Sequence, residues 1–132
     1  MNRQHQQMQI NIRTITNIIN GVITLLIQTR TIVVQKDKVD LVLERFSKES
    51  PMDAMPGLID KTVMVNRKKQ EDTAEVVVMI RWNSLEDWKN WEKSDVHIQG
   101  HRQKIGKPKP EHIISTTVNM YEVKSVKEGL TQ

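Results

Sequence analysis

The chain of 132 residues contains no cysteine, so it can form neither a disulfide nor a thiolate nucleophile or metal ligand. That fits a reducing compartment. Aromatic residues make up only 4%: three tryptophans, one tyrosine and one phenylalanine. Nucleic-acid binding usually needs a concentrated basic face with interleaved aromatics. Here the aromatics are few and the basic residues are spread along the chain, so we expect no nucleic-acid partner. A long hydrophobic run is missing too. Residues 18–27 are apolar, but Asn20, Gly21 and Thr24 interrupt them and the stretch is too short to span a bilayer. The Gln- and Asn-rich N-terminus lacks a convincing cleavage site, so we expect no membrane association and a cytoplasmic protein.

What is present describes a globular domain: 37% hydrophobic and 27% charged residues, with a net charge of +4 that suits a small anionic ligand among other things. The length fits one domain. Residues 1–21 read as an N-terminal extension and 22–132 as the main domain. Within the extension, Ile10, Ile12, Ile18 and Ile19 precede Asn20-Gly21, a two-residue hairpin signal, which favours an added strand over a tail.

From Val22 the pattern alternates between strand and helix. Residues 22–34 are β-branched and read as a strand. Asp37 is placed to cap a helix whose apolar stripe is Val39, Val42, Leu43 and Phe46, closed by Ser50-Pro51. Pro56-Gly57 introduces a strand over 58–65, and 66–72 is a charged turn. A third strand over 74–82 puts Val76, Val78, Ile80 and Trp82 on one face. Ser84 with Asp87 starts a second helix, and Ser94 predicts a break in it near Lys93. Residues 102–111 read as a basic loop and 113–123 as the last strand. The order βαββαβ predicts an α+β, ferredoxin-like fold: an antiparallel sheet with both helices on one face. An apolar second face of that sheet would need a partner, and a homodimer would supply one.

The residues best suited to chemistry lie in one segment. All three tryptophans and two of the four histidines fall between Trp82 and His101. An imidazole is a good ligand for porphyrin iron and an indole a good wall for a flat apolar ring. On one continuous helix His101 would lie roughly 80° from Trp91 and His97 roughly 120° away, which favours His101 as the partner of that indole. His97 and His101 alone are half a zinc site with no recognisable third ligand.

Trp82-Asn83 through Asp87-Trp88, then Trp91-Glu92-Lys93-Ser94-Asp95 and His101, resemble the heme-degrading monooxygenases of the IsdG type, within the antibiotic biosynthesis monooxygenase superfamily. Further points of resemblance are residues 29–34 leading into Glu44-Arg45-Phe46, Met55-Pro56-Gly57, and Tyr121-Glu122-Val123, so that roughly 28–124 is covered. The resemblance implies a dimeric α+β barrel of ferredoxin-like subunits, each holding heme between helices and sheet. It implies His101 as the iron ligand and Trp91 as the indole that presses on the porphyrin. It implies oxidative opening of the ring and release of iron, with O2 and an external electron donor, a reductase or a small reductant. One position departs from the family pattern: Arg30 stands where a distal asparagine is expected. Arginine is always charged and only donates, so it is expected to turn toward a heme propionate, leaving Gln28 on the same strand face to supply the amide. Two alternatives remain: a non-catalytic heme carrier on the same fold, and a cofactor-free monooxygenase acting on a small molecule.

Overall fold

The computed structural model describes residues 18–19 and 22–130; most of the expected extension, and the Asn20-Gly21 turn itself, lie outside the described residues. Strand β1 (Ile18–Ile19) pairs antiparallel with β2 (Val22–Ile23) in the register Ile18↔Ile23 and Ile19↔Val22, which a two-residue connection dictates. The main sheet holds β3 (Leu26–Gln35), β4 (Leu58–Val65), β5 (Thr73–Trp82) and β6 (Ile113–Glu122) in the order β4-β5-β3-β6, every neighbour antiparallel. Helix α1 (Val39–Ser47) joins β3 to β4, while α2 (Leu85–Lys93) and α3 (Asp95–Lys104) join β5 to β6. This is the expected ferredoxin-like βαββαβ arrangement with its second helix in two pieces.

Several boundaries differ from expectation, each for a local reason. The predicted strand over 22–34 is interrupted at Thr24, whose hydroxyl donates to the Asn83 carbonyl at 2.7 Å. Asp37 does not cap α1: it sits inside a 3-10 turn over Lys36–Lys38, and Lys38, at the N-cap of the helix that follows, makes no capping hydrogen bond through its side chain. Beyond α1, Pro51–Ala54 forms a second 3-10 turn, held by the Asp53 carboxylate accepting from the Ser50 N–H at 2.9 Å. Residues 102–104, expected in the basic loop, complete α3.

Val76, Val78, Ile80 and Trp82 are all buried, as their spacing of two predicts. They join Leu26, Ile32, Val34, Val42 of α1 and Trp91 of α2 in one cluster, against which Val39, Leu43 and Phe46 pack as the expected stripe. Register extends this face sideways. Leu26, Gln28, Arg30 and Ile32 of β3 stand opposite Trp82, Ile80, Val78 and Val76 of β5. On their other side they stand opposite Glu122, Met120, Val118 and Thr116 of β6. Directly opposed residues of antiparallel strands project to the same side. Gln28 and Arg30 therefore face the helical layer, and so do Val118 and Met120. Yet Val118 is 46% exposed and Met120 38%, while Val76 and Trp82 are fully buried. The helices seal this face over β5 and leave it open over β6. On the other, helix-free face, Ile27, Val33, Val77 and Met79 are half-buried.

Candidate functional site

Ser94 does two jobs where α2 gives way to α3. Its N–H and hydroxyl donate to the Trp91 carbonyl at 3.0 and 2.7 Å, ending α2, and its oxygen accepts from the His97 N–H at 3.2 Å, starting α3. The predicted break is therefore real, and it overturns the angular estimate made for a continuous helix. His97, not His101, lies against Trp91, with ring centroids 4.8 Å apart and planes inclined at 60°. His101 packs edge-on against His97 at 4.4 Å. Trp91 itself is buried in the core, so the three rings run outward from core to surface.

The polar contacts converge on one atom. His97 Nε2 lies 2.6 Å from a Glu92 carboxylate oxygen and 3.1 Å from His101 Nε2. Burial lowers the His97 pKa; the Glu92 charge opposes that shift, while His101 and Lys104 add to it. The His97 side chain is 19% exposed and His101 is open to solvent.

The second cluster lies on the open part of the sheet face. Arg30 is half-buried there, and no carboxylate among the described residues pairs with it. Burial lowers its pKa and the neighbouring Arg45 pushes the same way, but a guanidinium remains charged at any working pH. Gln28, one step along the same face, makes no side-chain hydrogen bond among the described residues. Met120, directly opposite Gln28, lines a cavity of about 490 Å³ with Leu26, Leu85, Trp88, Tyr121 and Glu122, a size typical of small-ligand sites. The indole N–H of Trp88 is buried and has no acceptor among the described residues.

The expected site residues thus form two groups, Gln28 with Arg30 and Trp91 with His101. No hydrogen bond, ion pair or ring contact among the described residues joins the two groups. Sequence reasoning missed Glu92 and treated His97 as the poorer histidine. The contributions of Val118 and Met120 had a faint signal, two apolar residues two apart in the last strand. Their exposure had none.

An apolar floor beside a cation that has no carboxylate partner among the described residues suits a flat anionic ligand, and the imidazole pair on α3 separately offers ring nitrogens of the kind that hold a metal. A family model described as antibiotic biosynthesis monooxygenase matches residues 25–103, from the start of β3 to the last turn of α3. The chain belongs to this family. Among relatives of this monooxygenase family, the heme-degrading monooxygenase HmoA of Bacillus subtilis is 50% identical over 103 residues, covering 78% of this chain and 94% of that protein. A crystal structure from Bacillus cereus, described as an antibiotic biosynthesis monooxygenase, has 40% identity and a TM-score of 0.69, covering 80% of this chain and 99% of that one. The heme-degrader MhuD of Mycobacterium tuberculosis, solved with two hemes in its active site, has 16% identity and a TM-score of 0.55 over 79% of this chain and 99% of its own. At that identity it speaks for the fold alone. Among the described residues, no helix is long and apolar enough to cross a membrane.

Proposed function

We propose that this member of the family is a heme-degrading monooxygenase. The observation that carries the reading is the half-open sheet face, where Arg30, with no anionic partner among the described residues, borders an apolar floor. The 50% identity to HmoA favours heme over other flat anions. Heme, when bound, supplies the iron at which O2 is activated and the ring that is opened.

The chain's own residues then have separate tasks. His101 Nε2 is the iron ligand, and its exposure leaves it free to be approached. Arg30 takes a propionate, because a guanidinium binds a carboxylate through paired donors. Gln28 offers the uncharged amide donor beside it. Trp91 was expected to press on the porphyrin; with its ring in the core and His97 against it, bracing the imidazoles fits better. Val118 and Met120 give the ring an apolar bed and keep water from it. Electrons come from an external donor, a reductase or a small reductant. The half-buried apolar residues Ile27, Val33, Val77 and Met79 support a homodimer joined through the helix-free face. A cytoplasmic setting suits the cysteine-free chain.

Titration with hemin tests the reading. A Soret band is expected, and it is lost in His101→Ala. On adding ascorbate in air the band decays and iron becomes available to a chelator. Hemin uptake no better than that of a bystander protein sinks the proposal, and a band that survives ascorbate turns the protein into a carrier.

A further inference from the structure

The contact between His97 and His101 constrains where the protons of both rings sit. Glu92 is a carboxylate, which only accepts hydrogen bonds. At 2.6 Å from it, His97 Nε2 must carry a hydrogen, since two facing lone pairs would repel at that distance. That hydrogen is shared with a second neighbour 3.1 Å away, His101 Nε2, which then presents its lone pair to it. In a neutral ring the His101 proton is therefore on Nδ1. Stacking reinforces the arrangement: Trp91 fixes the His97 ring, and His97 fixes the edge of His101.

We infer that Glu92 and His97 form a latch on His101. The carboxylate fixes the His97 N–H, and that N–H holds the His101 Nε2 lone pair until a metal centre takes its place. The latch has two effects. It selects the His101 tautomer whose Nε2 is ready to donate to a metal, without a proton having to move first. It also makes entry of the metal centre a displacement, so a weakly liganded ion must compete with a hydrogen bond already made. His97 is in this sense a positioning residue. The inference rests on the proposed function only for what displaces His97, the iron of heme; the latch itself belongs to the protein without ligand.

The test reads the two parts separately. Long-range proton–nitrogen NMR of the ligand-free protein at pH 8 reports which imidazole nitrogens carry hydrogens. In the wild type, His101 Nε2 is expected to be unprotonated and His97 Nε2 protonated. In His97→Phe, which keeps a ring against Trp91, His101 reverts toward the Nε2–H form that free histidine favours. Glu92→Ala, a change on the helix surface, should release His97 and move His101 the same way. Hemin association, followed by the Soret band, should be about fivefold faster in His97→Phe, with the band itself unchanged. A protonated His101 Nε2 in the wild type, or an unchanged tautomer in both variants, overturns the latch. So does loss of the Soret band in His97→Phe with retention in His101→Ala, which would make His97 the ligand. If the tautomers behave as stated but wild-type protein takes up no hemin, the latch stands and the heme reading falls.

Discussion

Lys61 and Arg30 project from the same helix-facing side of the sheet, one from each strand flanking β5. Lys61, on β4 opposite Ile80, is largely buried and fully answered: its ammonium pairs with Asp53 and donates to the Ser50 hydroxyl at 3.0 Å. The 3-10 turn that supplies those partners also packs Met52 and Met55 onto the core. Arg30, on β3 opposite Val78, has the charge of Arg45 nearby and no carboxylate among the described residues. Among the described residues one half-buried cation is answered and the other is not, and an unanswered cation is the one open to an anionic ligand. The β4 rim is built for stability, and the β6 rim is where the proposed function puts the ligand.

The largest expected effect tests how firmly the β4 rim is built. Gly57 opens β4 with φ +87°, a conformation that strains any side chain, and a Cβ there would lie 2.1 Å from Asp87 Cγ. Asp87 cannot easily move, because its N–H and carboxylate both bond to the Ser84 hydroxyl that caps α2. Gly57→Ala should therefore cost about 2 to 4 kcal/mol, read from urea unfolding. A loss under about 1 kcal/mol would mean that α2 is not held to the start of β4 in this way.

On the β6 rim the effect should fall on binding instead. Arg30→Met is expected to weaken hemin binding about tenfold, the worth of a charge-assisted hydrogen bond. Stability should stay level or rise by up to about 1 kcal/mol, since a half-buried cation with no partner among the described residues is removed. Weaker folding with unchanged hemin affinity would break the contrast between the two cations.

How much of this was legible in the sequence follows the same division. The sealed half was written in local pattern: Val76, Val78, Ile80 and Trp82 at spacing two, Val39, Val42, Leu43 and Phe46 at helical spacing, and Pro56-Gly57 before β4. Arg30 shares strand parity with Ile32 and Val34, so its inward direction could be read as well. The open half could not. Val118 and Met120 have the spacing of buried residues, yet none of the described helices covers them above β6 and they stay accessible. Ser94 announced a helix break, but not that the kink would exchange the places of His97 and His101 against Trp91. Asp37 was misread because a capping residue type does not determine whether the turn it enters is 3-10 or α.

The smallest effect concerns Lys61, and acid should reveal it. The Lys61 hydrogen bond, followed by that from the Ser50 N–H, lowers the Asp53 pKa, with burial opposing. A carboxyl whose folded pKa lies below its unfolded value of about 3.9 takes up its proton more readily when unfolded. Its contribution is therefore complete above that pH and is lost as the pH falls through the folded value. Lys61→Met should cost about 1 kcal/mol at pH 7, because Asp53 is partly exposed and water replaces some of what is lost. The same variant should lose less stability than the wild type between pH 5 and pH 2, so the two curves converge in acid. Hemin affinity should not change. Parallel curves would show that Asp53 owes its low pKa to Ser50 rather than Lys61, and the rim would then be held by the turn's own backbone. A change in hemin affinity would instead mean that the two cations are not separate devices, and that loosening β4 is felt across β5 at Arg30.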